Sequence, residues 1–298
     1  MRVVVTGSSG LIGRELVAAL VAEGHDVTKL VRRTPEIGEA VWDPAAGTID
    51  AGALDGADAI VHLAGAGIGD RRWSPARRAV LISSRVSSTE LIARTVAGLA
   101  RPPAMFVSAS AIGVYGNRGD EVLAEDSPPG DGFLARLCIE WERATVPAER
   151  VGVRVVHLRS ALVLARNGGA LGRTLPLFRA GLGGVLGDGR QWWSWISLRD
   201  EVGAIQFVLT HAEIAGPVNA CAPHPATNRE FTRALGRQLH RPTAARVPRF
   251  ALHAVLGREL ADEVPLGSQR VIPQRLVAAG YPFAHPQLAD ALAWVFDR

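Results

Sequence analysis

A glycine-rich segment near the start of the chain, set between an apolar run and an amphipathic run, constrains the fold most strongly. The apolar run is Val3-Val4-Val5, and the amphipathic run extends from Leu11 to Glu23. This order predicts a strand, a tight turn and a helix. The connecting segment reads Thr6, Gly7, Ser8, Ser9, Gly10, Leu11, Ile12 and Gly13.

Each glycine of this turn has a separate physical role. Gly7 can adopt the backbone angles of a tight turn, Gly10 has no Cβ to keep a pyrophosphate from the main chain, and Gly13 allows close packing of helix against strand. The helix N-terminus directs free N–H groups and a partial positive charge at the phosphates. The spacing is Gly-x-x-Gly-x-x-Gly, so the strand and helix on either side carry the prediction of a dinucleotide site. The alternative is a βα turn that binds nothing.

Two arginines indicate which dinucleotide binds. The segment from Asp26 to Val31 predicts a second strand, and Arg32 and Arg33 follow it. An acidic residue at this point accepts hydrogen bonds from the adenosine ribose, whereas arginines pair with a 2′-phosphate. Because no acidic residue stands at this strand end, we predict NADP(H) rather than NAD(H). The alternative is that both arginines only solvate the strand end.

The rest of the chain alternates strands and helices without tight hairpins. Further strands are predicted at 40–42, 59–63, 105–108 and 151–158, and long helices at 75–99 and 134–146. This alternation favours parallel βαβ units. We predict an α/β fold, a Rossmann doubly wound parallel sheet with a smaller discontinuous C-terminal lobe. The Rossmann domain is assigned to residues 1–165 with 195–215 returning to it, and the smaller substrate lobe to 166–194 and 216–298.

Composition excludes several classes of protein. The chain has 298 residues, of which 48% are hydrophobic and 21% charged, as in ordinary globular proteins. Its net charge is +4, but no basic run reaches the length of a nucleic-acid patch, so we expect no nucleic-acid partner. No long apolar run or signal peptide is recognisable, so we expect a cytoplasmic protein without a membrane span. The two cysteines, Cys138 and Cys221, lie far apart and predict neither a disulfide nor a metal site.

The segment after the strand at 59–63 supplies further candidate site residues. Leu63 is followed there by Ala64 and Gly65, and these small residues leave space for the adenosine of the cofactor. Asp70 and Arg71 follow at the carboxyl end of this strand, where open α/β sheets bind ligands. They are candidates for holding an anionic substrate, and the alternative is a solvated turn.

The tryptophan-rich segment after residue 189 supplies the second set of substrate candidates. Arg190 and Trp192 could close over the pocket as anion-binding and stacking groups. The alternative is packing of the tryptophans between the two lobes. His62, within the apolar strand, is predicted to be a core histidine with hydrogen-bond partners.

These motifs resemble the extended short-chain dehydrogenase/reductases, and more narrowly their atypical epimerase branch, which carries a C-terminal domain of unknown function. The resemblance covers nearly the whole chain. Its motifs are residues 6–13, His62-Leu63-Ala64-Gly65, Gly69-Asp70-Arg71-Arg72-Trp73, Ser108 to Gly116, Gly189-Arg190-Gln191-Trp192, Trp195-Ile196 and Gly216-Pro217-Val218-Asn219-Ala220. The resemblance implies a Rossmann lobe that binds NADP(H), with Ser108 among its contacts, and a C-terminal lobe for a small-molecule substrate that the motifs do not identify.

The usual chemistry of this family needs a serine and a Tyr-x-x-x-Lys pair, in which the lysine holds the nicotinamide ribose and lowers the pKa of the tyrosine. Ser110 matches the serine. With Glu142 as the register mark, Leu134 stands where the tyrosine is expected and Cys138 where the lysine is expected. The only lysine, Lys29, lies in the second predicted strand, so the resemblance does not extend to this pair.

Two functions therefore stay open. The first is an NADP-dependent oxidoreductase or epimerase-like enzyme acting on a small carbonyl or sugar-like substrate, with Ser110, Tyr115 or water as the proton donor. Hydride transfer itself needs only cofactor and substrate in register. The second is a catalytically silent NADP(H)-binding sensor or scaffold, in which Tyr115 only shapes the pocket. Related enzymes dimerise through the two long helices, which implies a homodimer.

Overall fold

The computed structural model describes residues 1–297 of the chain. In chain order its strands are β1 (Arg2–Thr6), β2 (Asp26–Val31), β3 (Glu39–Asp43), β4 (Thr48–Ile49), β5 (Ala59–His62), β6 (Met105–Ala111), β7 (Val122–Leu123), β8 (Arg154–Ser160), β9 (Leu162–Leu164), β10 (Gly184–Leu186), β11 (Trp192–Trp193), β12 (Trp195–Ser197), β13 (Gly216–Ala220), β14 (Ala226–Thr227), β15 (Ala245–Val247) and β16 (Arg270–Val271).

The helices lie between these strands and at the C-terminal end. They are α1 (Leu11–Ala22), α2 (Ala51–Leu54), α3 (Pro75–Ser83), α4 (Val86–Ala97), α5 (Phe133–Arg143), α6 (Val146–Glu149), α7 (Gly169–Arg179), α8 (Leu198–Thr210), α9 (Asn228–Leu239), α10 (Arg249–Leu256), α11 (Arg258–Glu263), α12 (Gln274–Ala278) and α13 (Leu288–Phe296), and a 3₁₀ turn covers Ile112–Tyr115. Within residues 1–297, no helix combines the length and the apolar character that a membrane crossing requires.

Eight strands form the large sheet, in the order β13-β8-β6-β5-β1-β2-β3-β4. Every neighbouring pair is parallel except β3 and β4, which are antiparallel. The chain moves outward from β1 in both directions, so the topological switch point lies between β1 and β5. The predicted Rossmann doubly wound sheet is therefore confirmed. The crevice at the carboxyl ends of β1 and β5 is the place where such a sheet binds ligands.

The valines of β1 show that the sheet is buried on both faces. Val3 and Val5 join a core cluster with Leu16 of α1, whereas Val4 joins a separate cluster with Ile92 of α4. Side chains alternate between the two faces of a strand, so the two clusters lie on opposite sides of the sheet. A strand covered on both faces reads as a continuous apolar run, which explains the sequence of β1.

The smaller lobe departs from its predicted boundaries in one segment. Residues 216–220 were assigned to this lobe, but β13 pairs in parallel with β8 at the edge of the large sheet. Val218 is fully buried in the core of the large sheet, and Leu276 of α12 joins the same cluster. The lobe itself contains short strand pairs, β10 with β15 and β11 with β14, beside α9. The sequence of a short edge strand does not indicate which strand it pairs with, so residues 216–220 could not be assigned to the large sheet beforehand.

The predicted helix over 75–99 is two helices, α3 and α4. At the junction, the hydroxyl of Ser84 donates to the carbonyl of Leu81 (3.2 Å), and Nη1 of Arg85 donates to the same carbonyl (3.3 Å). Side chains that bond to nearby backbone carbonyls compete with the helical hydrogen bonds. The break places Arg85 immediately before α4, with its side chain turned toward the preceding helix.

Two smaller corrections concern local signals. The prediction of a sheet without tight hairpins was wrong at β3 and β4, where Gly47 with φ of 69° lies in the connecting turn. The sequence also favours Asn228 as the cap of the helix that follows it, but Asn228 is not the cap of α9. Thr227 is the N-cap and forms a capping box with Glu230, while Asn228 Oδ1 accepts from the backbone N–H of Leu186.

Candidate functional site

The glycine turn after β1 has the geometry of a phosphate cradle. Gly7 has φ of 68°, and its carbonyl accepts a hydrogen bond from the N–H of Gly10 (2.9 Å). A Cβ atom on Gly13 would overlap the carbonyl oxygen of Gly7, so glycine is required there. Helix α1 begins at Leu11 without a side-chain cap. The N–H groups of its first turn therefore have no capping side chain and can bind an anion.

The turn and the end of β5 are in direct contact. A Cβ atom on Gly7 would lie 2.7 Å from the carbonyl carbon of Leu63 and 2.8 Å from the nitrogen of Ala64. The hydroxyl of Thr6 accepts from the N–H of Leu63 (3.2 Å). The structure thus brings together two of the predicted cofactor segments, residues 6–13 and 63–65. Thr6 itself is buried, and its hydroxyl serves this internal bond.

His62 is a buried, hydrogen-bonded core residue, as predicted. Its Nδ1 lies 2.6 Å from the Thr6 hydroxyl and its Nε2 lies 3.2 Å from the Ser88 hydroxyl. Burial, with a smaller contribution from the charge of Arg85, lowers the pKa of His62 to about 3. The ring is therefore neutral at physiological pH and fixes β5 against β1 and α4.

The two arginines after β2 differ in their surroundings. Arg33 donates to Glu39 (2.9 Å), and Lys29 also pairs with Glu39 (2.8 Å). Hydrogen bonds from Lys29, the backbone of Glu36 and Arg33 lower the pKa of Glu39 to about 2, so this carboxylate is ionised. The side chain of Arg32 is exposed and has no hydrogen bond or ion pair with any described residue. Arg32 is therefore the cation that is free to meet a 2′-phosphate.

The two serines of β6 lie inside the protein. Ser108 is buried, and its hydroxyl donates to the carbonyl of Ala109 (3.3 Å). Ser110, near the carboxyl end of the strand, is 4% exposed and donates to Oε1 of Glu142 (2.7 Å). A serine hydroxyl that donates its hydrogen to a carboxylate retains lone pairs that accept hydrogen bonds.

Tyr115 is fully buried and its hydroxyl is fully engaged. It donates to Oδ1 of Asn219 (2.7 Å) and accepts from Nη1 of Arg159 (2.9 Å). Burial raises the pKa of the phenol, and the opposing effect of Arg159 does not overcome it. This geometry favours the structural alternative for Tyr115, a residue that fixes the loop, over the predicted role as a proton donor.

A buried ion pair connects the two predicted catalytic residues. Arg159 on β8 donates to both carboxylate oxygens of Glu142, at 2.8 and 2.9 Å. Burial opposes ionisation of Glu142, but the hydrogen bonds and charge of Arg159 outweigh it, so the pKa of Glu142 is lowered. Ser110 and Tyr115 thus belong to one polar network through this pair. The sequence reading missed Arg159 and Asn219, although Arg159 ends an apolar strand and Asn219 lies in a motif of the resemblance.

Apolar packing occupies the place where the resemblance expects the tyrosine and the lysine. A Cβ atom on Gly113 would lie 3.3 Å from Cβ of Leu134 and 3.8 Å from Sγ of Cys138. Cys138 is buried, and burial together with the charge of Glu142 raises the pKa of its thiol to about 12. Cys138 is therefore a protonated thiol that fills space beside the 3₁₀ turn.

The predicted substrate residues Asp70 and Arg71 lie on a turn that contacts the smaller lobe. Asp70 forms ion pairs with Arg77 (3.6 Å) and Arg173, and Arg71 is exposed. The neighbouring Arg72 donates to the carbonyls of α10 residues Val255 (2.8 Å) and Ala254. Asp70 is thus already paired with cations, whereas Arg71 is open to solvent.

Arg190 lines a cavity of about 490 Å³, whereas Trp192 only contacts one of its lining residues, Asp120. Nε1 of Trp192 donates to Asp120 (2.9 Å), and Arg270 stacks over the ring at 4.3 Å from its centroid. Arg190, Asp120 and Asp188 line the cavity with two arginines of the smaller lobe, Arg246 and Arg249. Asn117 and Gly119, which follow the loop of Tyr115, also line it. In residues 1–297, no cluster of His, Cys, Asp or Glu is arranged to hold a metal ion.

Comparison with known proteins gives consistent matches over the whole chain. The NAD dependent epimerase/dehydratase family matches residues 3–221, and a domain of unknown function, DUF1731, matches residues 247–295. An epimerase family protein of Mycobacterium leprae is 46% identical over 297 residues, 99% of this chain and 96% of that protein.

Two solved structures share the fold and more than a third of the sequence. The human epimerase family protein SDR39U1, crystallised with NADPH, is 36% identical with a TM-score of 0.90, covering 100% of both chains. A nucleoside-diphosphate sugar epimerase from Corynebacterium glutamicum is 37% identical with a TM-score of 0.81, covering 98% of this chain and 57% of that one.

Proposed function

This chain belongs to the NAD dependent epimerase/dehydratase family, and we propose that it is an NADP(H)-binding oxidoreductase acting on a small, anionic carbonyl or sugar-like substrate. The observation that carries the proposal is the glycine turn, whose shape and free N–H groups fit a pyrophosphate and whose neighbour Arg32 is an unpaired cation. The human relative of the same fold was crystallised with NADPH.

The cofactor would be held at three places along the crevice. The N–H groups of residues 8, 9 and 11–13 would bind the pyrophosphate, because no capping side chain occupies them, whereas the N–H of Gly10 is bonded to Gly7. Arg32 would pair with the 2′-phosphate, and residues 63–65 at the end of β5 would border the riboses. When bound, NADP(H) supplies or accepts the hydride, while the protein positions it.

The substrate would enter the cavity beside Trp192. Arg190 and Arg246 line this cavity, and neither side chain has a hydrogen bond or ion pair within residues 1–297. Unpaired guanidinium groups around a cavity favour a carboxylate or phosphate group. The indole of Trp192 donates to Asp120, a lining residue, and Arg270 covers one face of its ring, so Trp192 would act by fixing this wall of the cavity.

Ser110 is the residue that we assign to the reacting oxygen of the substrate. It lies near the carboxyl end of β6, and its hydroxyl, which donates to Glu142 in the structure, would turn its hydrogen to the substrate, because a carbonyl oxygen only accepts hydrogen bonds. Because the lowered pKa of Glu142 makes it a weak base, we expect slow turnover. Water would then exchange the proton that a tyrosine exchanges in the usual pair.

The test follows NADPH oxidation with a panel of small keto acids, aldehydes and nucleotide sugars. If a substrate is found, Ser110→Ala should lower kcat by about tenfold or more, the size of one catalytic hydrogen bond. Tyr115→Phe should change kcat less than Ser110→Ala, although it removes a buried hydrogen bond. A larger loss in Tyr115→Phe than in Ser110→Ala, with both variants folded, would contradict the assignment.

The second candidate is a silent NADP(H)-binding sensor. It is favoured by the closed network of Ser110 and Tyr115, and by Leu134 and Cys138 at the positions of the usual pair. Tight NADPH binding without oxidation by any member of the panel would support this candidate over the enzyme.

A further inference from the structure

Arg85 is a buried cation beside the cofactor crevice, and none of the residues discussed above explains its position. It lies at the break between α3 and α4 and is 8% exposed. Its Nη2 donates to the carbonyl of Ala66 (2.8 Å), and its Cζ lies 5.1 Å from the ring centroid of Trp141 on α5. The side chain therefore spans from the end of β5 to α5.

Arg85 has no carboxylate partner. None of the ion pairs among residues 1–297 includes it, and its side chain donates to the carbonyls of Ala66 and Leu81 and to the hydroxyl of Ser84. Burial is the main cause that lowers the pKa of Arg85 to about 10, so it stays charged at neutral pH. A buried charge without an opposite charge is unfavourable by several kcal/mol in general, so such residues usually meet an anion.

The nearest charged groups do not supply that anion. Asp70 attracts Arg85 only weakly and is already paired with Arg77 and Arg173. Arg77 itself repels Arg85, and the Cys138 thiol stays protonated. No described carboxylate therefore neutralises the guanidinium. Its bond to Leu81 reaches the C-terminal end of α3, which carries a partial negative charge but no anion.

The guanidinium faces the same crevice as the glycine turn. A Cβ atom on Gly65 would lie 3.3 Å from its Cζ, and the two residues before Gly65 contact Gly7. On the other side, the charge of Arg85 acts on Cys138, at the position where the resemblance expects the lysine. The side chain of Arg85 therefore lies between the end of β5 and α5. It belongs to the junction of α3 and α4, whereas the lysine that the resemblance expects would lie on α5.

We propose that Arg85 binds the nicotinamide half of NADP(H), donating hydrogen bonds to its ribose and phosphate oxygens. The inference rests on the proposed cofactor. The guanidinium has more N–H donors than its three hydrogen bonds within residues 1–297 use, and Trp141 and Ala66 fix its plane. Arg85 thereby supplies, from the start of α4, the cation that the sequence lacks at position 138.

The test compares ligands that contain or lack the nicotinamide half. Wild type, Arg85→Met and Arg85→Lys are titrated by calorimetry with NADPH, NADP⁺ and 2′,5′-ADP, which carries only the adenosine half with the 2′-phosphate. Arg94→Met is the matched control, because Arg94 lies on the same helix, is exposed and pairs with Glu90. Thermal unfolding of each variant shows whether it is folded.

In Arg85→Met, we expect the affinity for NADPH to fall by about tenfold or more, because a charge-assisted hydrogen bond is lost. The affinity for 2′,5′-ADP should be unchanged. The preference for NADPH over NADP⁺ should also narrow, because a cation near the nicotinamide repels its positive ring. Arg85→Lys, which keeps the charge, should retain that preference, and Arg94→Met should match wild type.

Two outcomes would overturn the inference. Equal losses for NADPH and 2′,5′-ADP in a folded Arg85→Met variant would show that Arg85 acts on the adenosine half or through the fold. Unchanged NADPH binding would show that it does not contact the cofactor. If wild type binds neither NADPH nor 2′,5′-ADP, the proposed function itself fails, and that result is distinct from either outcome.

Discussion

At the scale of single residues, Glu201 is a carboxyl group that folding removes completely from water. It lies in the first turn of α8 without exposed surface; one oxygen accepts from the Ser160 hydroxyl (2.5 Å) and the other has no partner. Burial raises the pKa of Glu201 to about 7, and the hydrogen bond from Ser160 only partly opposes this. The folded protein therefore holds the proton more tightly than the unfolded chain, whose glutamate pKa is 4.5.

The pH dependence of stability follows from this difference. Below pH 4.5 Glu201 is protonated in both the folded and the unfolded protein, so its burial carries no ionisation cost. Between pH 4.5 and 7 only the unfolded state is stabilised by ionisation, so the free energy of unfolding falls, and above pH 7 this loss of stability is complete. Glu201→Gln, which mimics the protonated form, should therefore raise the free energy of unfolding on the order of 3 kcal/mol at pH 8 and little at pH 4. Urea unfolding at both pH values measures this. A gain that is independent of pH would contradict it.

A second residue-scale prediction separates the arginines after β2. Because Arg33 is held by Glu39 whereas Arg32 is free, Arg32→Ala should weaken NADPH binding by about tenfold or more and leave NADH binding nearly unchanged. Arg33→Ala should have the smaller effect on NADPH, and the double variant should resemble Arg32→Ala. Calorimetric titration of each variant with NADPH and with NADH measures these affinities. An equal loss of affinity for NADPH and NADH in Arg32→Ala would mean that Arg32 does not bind the 2′-phosphate.

The local backbone geometry could be predicted from the sequence where only one residue type fits the conformation. The conformation of Gly7 and the close approach at Gly13 follow from the absence of a Cβ atom, so the turn could be predicted locally. The network of Tyr115 could not, because Asn219 is 104 positions away in the sequence. Only the fold shows that the carboxyl ends of β6, β8 and β13 place these side chains together.

At the scale of elements, helix α5 is capped by a residue of the smaller lobe. Both carboxylate oxygens of Glu263, at the end of α11, accept hydrogen bonds from the backbone N–H groups of Phe133 and Leu134, each at 2.8 Å. The residue before the helix, Gly132, offers no side chain for this purpose. A negative charge at a helix N-terminus is stabilising, so this contact ties α5 to the C-terminal segment.

Glu263→Ala should therefore lower the free energy of unfolding by about 1–2 kcal/mol, the usual effect of removing an N-terminal cap. Glu259→Ala is a suitable control, since this carboxylate lies on the same helix and pairs with Arg78 instead of a helix end. Chemical denaturation of the two variants gives the comparison. An effect of Glu263→Ala no larger than that of Glu259→Ala would show that the cap contributes little.

The limits of prediction also differ between elements. The long helices of the Rossmann unit follow from their amphipathic pattern, but the break between α3 and α4 depends on Ser84 and Arg85 bonding back to Leu81. A serine pair inside an amphipathic pattern does not by itself distinguish a continuous helix from two. The edge strand β13 was misassigned for a similar reason, because its partner β8 is known only from the sheet.

At the scale of the whole molecule, the two lobes meet around the crevice through charged contacts. Arg72 donates to α10 carbonyls, Arg78 pairs with Glu259, and Asp70 pairs with Arg173 of α7. These contacts connect the segment after β5, and α3 that follows it, with the smaller lobe. The homodimer expected through the helices of 75–99 and 134–146 stays a prediction, which sedimentation equilibrium would test.

Cofactor binding should stabilise the molecule as a whole. A ligand that binds only the folded state, at a hundred times its Kd, adds about 2.7 kcal/mol to the free energy of unfolding. Saturating NADPH should therefore raise the thermal midpoint by several degrees, and NADH at the same concentration should raise it much less. A shift of equal size with both cofactors would contradict the role assigned to Arg32.

The central claim is that the glycine turn and Arg32 form an NADP(H) site, and calorimetric titration of the purified protein with NADPH and NADH tests it most directly. Gly10→Asp is the control variant, because a carboxylate would occupy the space of the pyrophosphate and repel its charge. We predict micromolar affinity for NADPH, much weaker binding of NADH and no binding to folded Gly10→Asp. Absence of NADPH binding to wild type, or undiminished binding to the variant, would contradict the account.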